Sequence, residues 1–172
     1  MNKSAKIISS GSYLPDKVLT NKELEGMVDT SDKWITERTG IKERRVASEN
    51  QSSVDLAYEA SKDAIHKSGI NMKDIGAIFL ATCTPERKFP STAVLLQNRL
   101  GLQNAFSFDI NAACTGFIYA LDVAKKYIES GQIKYALVVG TEKITSLLDW
   151  SDRNTCVLFG DGAGAMLLSA SD

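Results

Sequence analysis

A layered α/β fold is what this chain predicts, and three observations predict it. Apolar runs of strand length alternate along the sequence with amphipathic segments of helical period. Several of those runs are continuous rather than alternating, which suits strands covered on both faces. No low-complexity linker and no internal repeat breaks the pattern, so residues 1–172 read as one layered unit.

Strands are expected at 7–10, 77–81, 106–110, 136–140, 156–159 and 165–169. Helices are expected at 21–28, 31–39, 53–68, 91–100 and 114–129, with a further candidate at 142–149. Ser31 can cap the second helix and Gly40 end it. Ser52 or Ser53 can cap the third, Pro90-Ser91 and Gly101 punctuate the fourth, and Ser130-Gly131 stops the fifth. On 53–68, Leu56, Ala57, Ala60 and Ala64 form the buried face, and Glu59, Lys62, Asp63 and His66 the polar one. The polar segment 47–51 reads as a loop.

At 172 residues and 44% hydrophobic content, the chain can fill one core. Twenty basic and 21 acidic residues leave a net charge of -1, no field for nucleic acid or an anionic membrane. No apolar run approaches the ~20 residues a bilayer needs, and the first residues lack a signal-peptide pattern. The three cysteines, at 83, 114 and 156, are odd in number, far apart and without a CxxC pair. Neither a disulfide framework nor a zinc site is expected, and a reducing, cytoplasmic setting is.

The most chemically suggestive stretch is Asn111-Ala112-Ala113-Cys114-Thr115-Gly116-Phe117. It sets a thiol where an apolar strand gives way to a helix whose stripe is Phe117, Leu121, Ala124 and Ile128. Tyr119, Asp122, Lys126 and Glu129 line the opposite face. In a first helical turn, unpaired amides and the helix dipole favour a thiolate, and small neighbours admit a substrate. The Cys114 amide could serve an oxyanion, and Gly116 would keep bulk from the sulfur. The bland alternative is a buried structural cysteine, and Cys83 and Cys156, in or beside apolar strands, fit that alternative better than Cys114 does. His66, the sole imidazole, falls on a polar helix face and reads as a solvated surface residue, so no Cys–His dyad is visible.

A second cluster is Ser31-Asp32-Lys33-Trp34-Ile35-Thr36-Glu37-Arg38-Thr39-Gly40. Trp34 and Arg38, four residues apart, project from one helix face, where an indole and a guanidinium can hold a planar base and a phosphate. A surface Trp packed on an Arg stem is the alternative. Arg153, in the polar loop 149–154, could add a phosphate contact. Phe159-Gly160-Asp161-Gly162-Ala163-Gly164-Ala165 is glycine-rich but precedes a strand and lacks nucleotide-fingerprint spacing, so its glycines more plausibly mark bulges or close backbone approach.

Together with Gly11-Ser12-Tyr13-Leu14-Pro15 and Tyr135-Ala136-Leu137-Val138-Val139-Gly140, these segments occur in the order seen in β-ketoacyl-[acyl-carrier-protein] synthase III, which the chain resembles from about residue 5 to 170. The cysteine motif alone resembles the wider thiolase-like superfamily. The resemblance implies a thiolase-like half: a layered mixed sheet flanked by helices, one of two similar halves of the complete fold. It implies that Cys114 accepts an acyl group from acyl-coenzyme A. That group would condense with malonyl-acyl carrier protein, losing CO2 and starting fatty-acid synthesis without metal or redox cofactor. Thr30, Trp34, Arg38 and Arg153 match coenzyme A contacts; Phe89, Ile144 and Phe159 match acyl-pocket positions, Phe89 reaching across a homodimer.

Members of that family are roughly twice this long, and the histidine and asparagine that promote decarboxylation, with most of the carrier-protein surface, belong to the other half. The chain therefore reads as the N-terminal half, a truncated piece with an exposed apolar face, expected to be inactive in condensation and to form dimers or other oligomers. Two alternatives stay open: another acyltransferase of the thiolase superfamily, and a non-catalytic half-domain serving dimerisation.

Overall fold

In the computed structural model, which describes residues 4–171, a five-stranded mixed sheet is sandwiched between helices. The strands are β1 (Ser4–Tyr13), β4 (Ile75–Ala81), β5 (Phe106–Ile110), β6 (Tyr135–Lys143) and β7 (Asp161–Ser171), in the order β1-β7-β6-β4-β5. β5, β4 and β6 run parallel, and β7 pairs antiparallel with both β6 and β1, so β1 runs in the direction of the first three. Five α-helices connect or flank them: α1 (Asn21–Glu25), α2 (Asp32–Thr39), α3 (Ser53–Ser68), α4 (Thr92–Leu100) and α5 (Gly116–Glu129).

The continuous apolar runs do what strands covered on both faces must do. Ile78, Leu80, Leu137, Val139, Ala165 and Leu167 point to one face and pack with Ala57, Ala60 and Ala64 of α3 and Leu96 and Leu100 of α4. Their sequence neighbours Ala77, Phe79, Ala136, Val138 and Leu168 point to the other and pack on Ala120, Ala124 and Ile128 of α5. Phe79 holds this second core together through edge contacts with Phe106 and Phe108 of β5. The buried face expected for α3 is the one observed, with Ser53, Val54 and Ser61 added.

A small annex packs beside the sheet. β2 (Lys17–Thr20) and β3 (Glu43–Val46) form a hairpin-like pair that brackets α1 and α2. Leu19, Leu24, Ile35, Cys156 and Val157 make its core, flanked by Trp34 and Trp150. Neither short strand is foreseen in the sequence, because β3 is mostly charged and each gains order only from the other.

Two expected elements are corrected. Residues 156–159 form turns rather than a strand. Asp152 organises them: its carboxylate accepts from the Asn154 amide (2.9 Å) and Thr155 hydroxyl (2.8 Å), and its carbonyl from the Cys156 amide (3.0 Å). Such local bonds compete with a sheet ladder, and Cys156 and Val157 serve the core as a plug. The helix considered at 142–149 is reduced to a single 3₁₀ turn, Ile144–Ser146, because β6 stays paired with β7 as far as Lys143 opposite Asp161.

Candidate active site

Cys114 lies at the parallel end of the sheet, just past β5, in a 3₁₀ turn (Ala113–Thr115) that runs into α5. The expected first helical turn is thus a tighter one, and the thiol is exposed rather than buried. Ala113 has φ 45°, the one left-handed non-glycine residue among those described. That conformation turns the chain sharply and presents Cys114 above the sheet edge.

The start of α5 differs from the other helices. Thr20, Ser31, Ser52 and Ser91 each cap a helix by accepting from its first-turn amides. No side chain caps α5, and the Thr115 hydroxyl instead donates to the Ala112 carbonyl (2.8 Å). The amides that follow the sulfur are taken by the turn's own carbonyls, Thr115 N–H donating to the Ala112 carbonyl (3.1 Å) and Gly116 N–H to that of Ala113. Gly116 is buried, and a Cβ there would sit 3.2 Å from Ala81 Cβ. It lets α5 settle on β4.

Cys114 opens on a cavity of about 370 Å³ lined by small residues of three strands, among them Ala81, Gly140, Gly162 and Gly164, with Phe117 and Glu142. Phe117 lies so close over Gly140 that a Cβ there would stand 3.1 Å from its ring. Glu142, missed in the sequence because it reads as an ordinary strand-end charge, is the cavity's only acid among the described residues. Its carboxylate accepts from the Cys83 amide (2.8 Å) and the Thr84 hydroxyl (2.6 Å), fixing the turn after β4. Burial, and then the Glu142 carboxylate, push the Cys83 thiol up; burial likewise raises Cys156. A raised thiol holds little thiolate near neutral pH, so both are poor nucleophiles.

The aromatic–cationic cluster assembles differently from the sequence pattern. Ser31 caps α2 by accepting from the Trp34 amide (3.1 Å), and Gly40 ends it at φ 73°. The guanidinium over the Trp34 indole belongs to Arg153, 4.6 Å from the ring centroid, and Arg153 also meets Asp29 at 3.7 Å. Arg38 is exposed and makes no hydrogen bond or ion pair among the described residues. Thr30, one residue before the cap, has a buried hydroxyl without a partner among them. Two segments 119 residues apart thus meet in one mouth (153 less 34).

The three acyl-pocket positions are spread out. Phe89 is 88% exposed on the loop between β4 and α4. Ile144 and Phe159 lie just beyond the β6–β7 end, past the Lys143–Asp161 pair, and outside the cavity lining. Buried Asp161, also missed, pins this end: it accepts from the Ala47 amide (2.7 Å), the Thr145 amide (2.9 Å) and the Thr145 hydroxyl (2.6 Å). The neighbouring glycines mark close approach, as expected: a Cβ at Gly160 would lie 2.9 Å from the Arg45 carbonyl and at Gly162 3.0 Å from Leu14. His66 is exposed on α3, away from the cavity.

A mixed sheet between helices, with a thiol on a strained turn where a parallel strand feeds a helix, defines a thiolase-like α/β protein. Residues 108–172 match the family model described as 3-Oxoacyl-[acyl-carrier-protein (ACP)] synthase III. The resemblance to β-ketoacyl-[acyl-carrier-protein] synthase III is borne out in sequence and in fold. Over 169 residues, 98% of this chain and 53% of the relative, it is 52% identical to the enzyme of that name from Ehrlichia canis. It is 54% identical to that from Laribacter hongkongensis over 168 residues, 98% of the chain and 53% of the relative. The crystal structure of 3-oxoacyl-[acyl-carrier-protein] synthase III from Aquifex aeolicus superposes with a TM-score of 0.95 at 52% identity, covering 98% of this chain and 54% of that one. The priming β-ketosynthase from the R1128 polyketide biosynthetic pathway superposes at 0.97 with 36% identity, over 99% of this chain and 51% of that one. The chain spans about half the length of the relatives it matches. No helix among the described residues is long and apolar enough to cross a membrane.

Proposed function

We propose that residues 1–172 are the N-terminal, acyl-coenzyme A-loading part of a 3-oxoacyl-[acyl-carrier-protein] synthase III. The observation that carries this reading is the exposed Cys114 at an uncapped helix start, facing a cavity of small residues, in a fold shared with synthases of that name.

Coenzyme A is held at the mouth, its adenine on Trp34 and its phosphates on Arg153 and Arg38, with Thr30 as a lesser contact. The thioester reaches down to Cys114. The thiolate attacks the acyl carbonyl; the oxyanion is met by the Cys114 amide; the carbon–sulfur bond to coenzyme A breaks, and its thiolate leaves. Acyl-Cys114 remains. Thioester exchange is redox-neutral and calls for no metal or redox cofactor. Phe89, Ile144 and Phe159 shape the acyl pocket together with groups outside this chain, Phe89 from the second subunit of a homodimer. The complete enzyme then condenses acyl-Cys114 with malonyl-acyl carrier protein in the cytoplasm, initiating fatty-acid synthesis. Carbanion formation calls for an imidazole and an amide over the malonyl carbonyl. His66, remote on α3, does not supply the first, so the chain alone is inactive in condensation.

Incubation with radiolabelled acetyl-coenzyme A tests both halves of the reading. The expected result is one acetyl group per chain, absent in Cys114→Ser, with no 3-oxoacyl product when malonyl-acyl carrier protein is added. A folded sample that is not acylated at Cys114 would favour a non-catalytic dimerisation module. Condensation at rates like those of a full-length synthase would overturn the division of labour.

A further inference from the structure

A buried guanidinium lies in the annex that carries Trp34. Arg44 of β3 is only 6% exposed, and among the described residues it pairs with no carboxylate. Its Nη1 donates to the Leu19 carbonyl (3.2 Å) and the Asn21 Oδ1 (2.9 Å). Its Nη2 donates to the same Asn21 oxygen (3.0 Å) and to the Val157 carbonyl (2.9 Å). Asn21, 1% exposed, passes the connection on: its amide group donates to Asp32 Oδ1 (2.8 Å) and to the Ile41 carbonyl (2.7 Å). Those two acceptors stand at the first residue of α2 and just beyond its end.

The bonds close a ring. From Trp34 it runs along α2 to Asp32, across Asn21 to Arg44, over to Val157, back through the Asp152-braced turn to Arg153, and across the stack to Trp34. The α2 segment and the 149–157 segment share the apolar core of Ile35, Cys156 and Val157, and Arg44 with Asn21 is the buried polar link between them, beside the half-exposed Arg153–Asp29 pair. A buried guanidinium without a counter-charge is costly, and an apolar side chain of like volume would fill the space at lower cost. What the guanidinium adds is direction: a planar fork binds two backbone segments at fixed angles.

We propose that Arg44 and Asn21 are positioning residues for coenzyme A recognition, setting the spacing of Trp34 and Arg153. The inference rests on the coenzyme A reading above. Asn21→Asp is the sharper variant, since it keeps the acceptor facing Arg44 and turns the donor facing Asp32 into a second carboxylate oxygen. Arg44→Met removes the hub and could unfold the annex; Asn21→Asp then carries the test.

In a Trp150→Phe background Trp34 is the only indole, and acrylamide quenching reports its shielding. The expected result is quenching in Asn21→Asp and Arg44→Met that rises toward that of Arg153→Ala. Coenzyme A affinity by calorimetry falls about tenfold, a loss of ~1.4 kcal/mol, while the rate of Cys114 alkylation by iodoacetamide is unchanged. A merely structural role would lower the melting temperature and leave Trp34 shielding and coenzyme A affinity in the folded protein as they were. Quenching and affinity like the parent's, with Trp34→Ala still weakening coenzyme A binding, would overturn the brace and leave the coenzyme A reading standing. A parent that binds no coenzyme A, yet shows the quenching change, would overturn that reading and leave the brace.

Discussion

At φ 45° Ala113 occupies a region of backbone space where an L side chain meets its own carbonyl, at ~1–2 kcal/mol for a non-glycine residue. The Ala113 side chain is exposed, so this cost is a backbone matter alone. Ala113→Gly removes it and adds ~0.5–1 kcal/mol of chain entropy, so stability is expected to hold or rise by up to ~1 kcal/mol. Ala113→Val, whose branched Cβ fits that region worse, is expected to lose ~1–2 kcal/mol. Urea midpoints of the three proteins check the order. The acylation rate should run the other way for glycine: a freer turn aims Cys114 less well, so Ala113→Gly loads acetyl groups more slowly. Cys114 is legible in the sequence because small residues around a lone thiol at a strand–helix junction form a local pattern. The strain at Ala113 is not, since nothing distinguishes that alanine from Ala112 until the turn is closed by contacts with the sheet.

Elements show the same division between local and distant causes. α3 is legible over its whole 53–68 span, with Ser52 the cap of the two serines offered, because its signals sit in its own sequence. What brings it against β1 does not: a Cβ at Gly11 would lie 2.3 Å from both Ala60 O and Ala64 N, main-chain atoms that cannot swing aside. Gly11→Ala is therefore expected to cost ~3 kcal/mol or more, read as a fall in the denaturation midpoint. The β2–β3 pair, the turn at 156–159 and the Arg153–Trp34 stack are hidden for a like reason, each resting on partners remote in sequence. Another distant pairing joins α3 to α4 and gives the fold an acid sensitivity. Partial burial pushes Asp55 up, but hydrogen bonds from Arg99 and from Ser52 and the Arg99 charge outweigh it and hold the carboxyl below its ordinary range. A carboxyl lowered on folding adds stability that is complete above its unfolded pKa. That stability is lost as pH falls through the folded value. In Asp55→Asn the stability near neutrality should be lower and the decline with acid below about pH 4 shallower; a decline as steep as the parent's would assign the acid sensitivity elsewhere.

For the whole molecule, the α3–α4 face of the sheet is filled, the α5 face leaves Ile7 of β1 exposed, and both edges are open. The order β1-β7-β6-β4-β5 leaves β1 and β5 with one hydrogen-bonding side each, and an unpaired strand edge is a template for another chain. The β5 side is the more apolar. Phe106 and Phe108 are 38% and 37% exposed, and Ile118 and Tyr119, in the first turn of the helix that β5 leads into, are 61% and 53%. Burying such a patch is favourable at ~25 cal/mol per Å², and the charged groups that protect natural edges are sparse on Phe106–Ile110, where Asp109 is spent on the Thr92 and Ala93 amides at the start of α4. Self-association along β5 is the expected consequence. Light scattering at micromolar concentration should give a mass that is a multiple of 18.7 kDa. Ile118→Lys, a change at an exposed position with little cost to the fold, should shift that mass toward the monomer. A parent already monomeric would contradict the argument outright, and an assembly indifferent to Ile118→Lys would move the contact from β5 to the β1 edge, where Ile7 and Leu14 are 55% and 57% exposed.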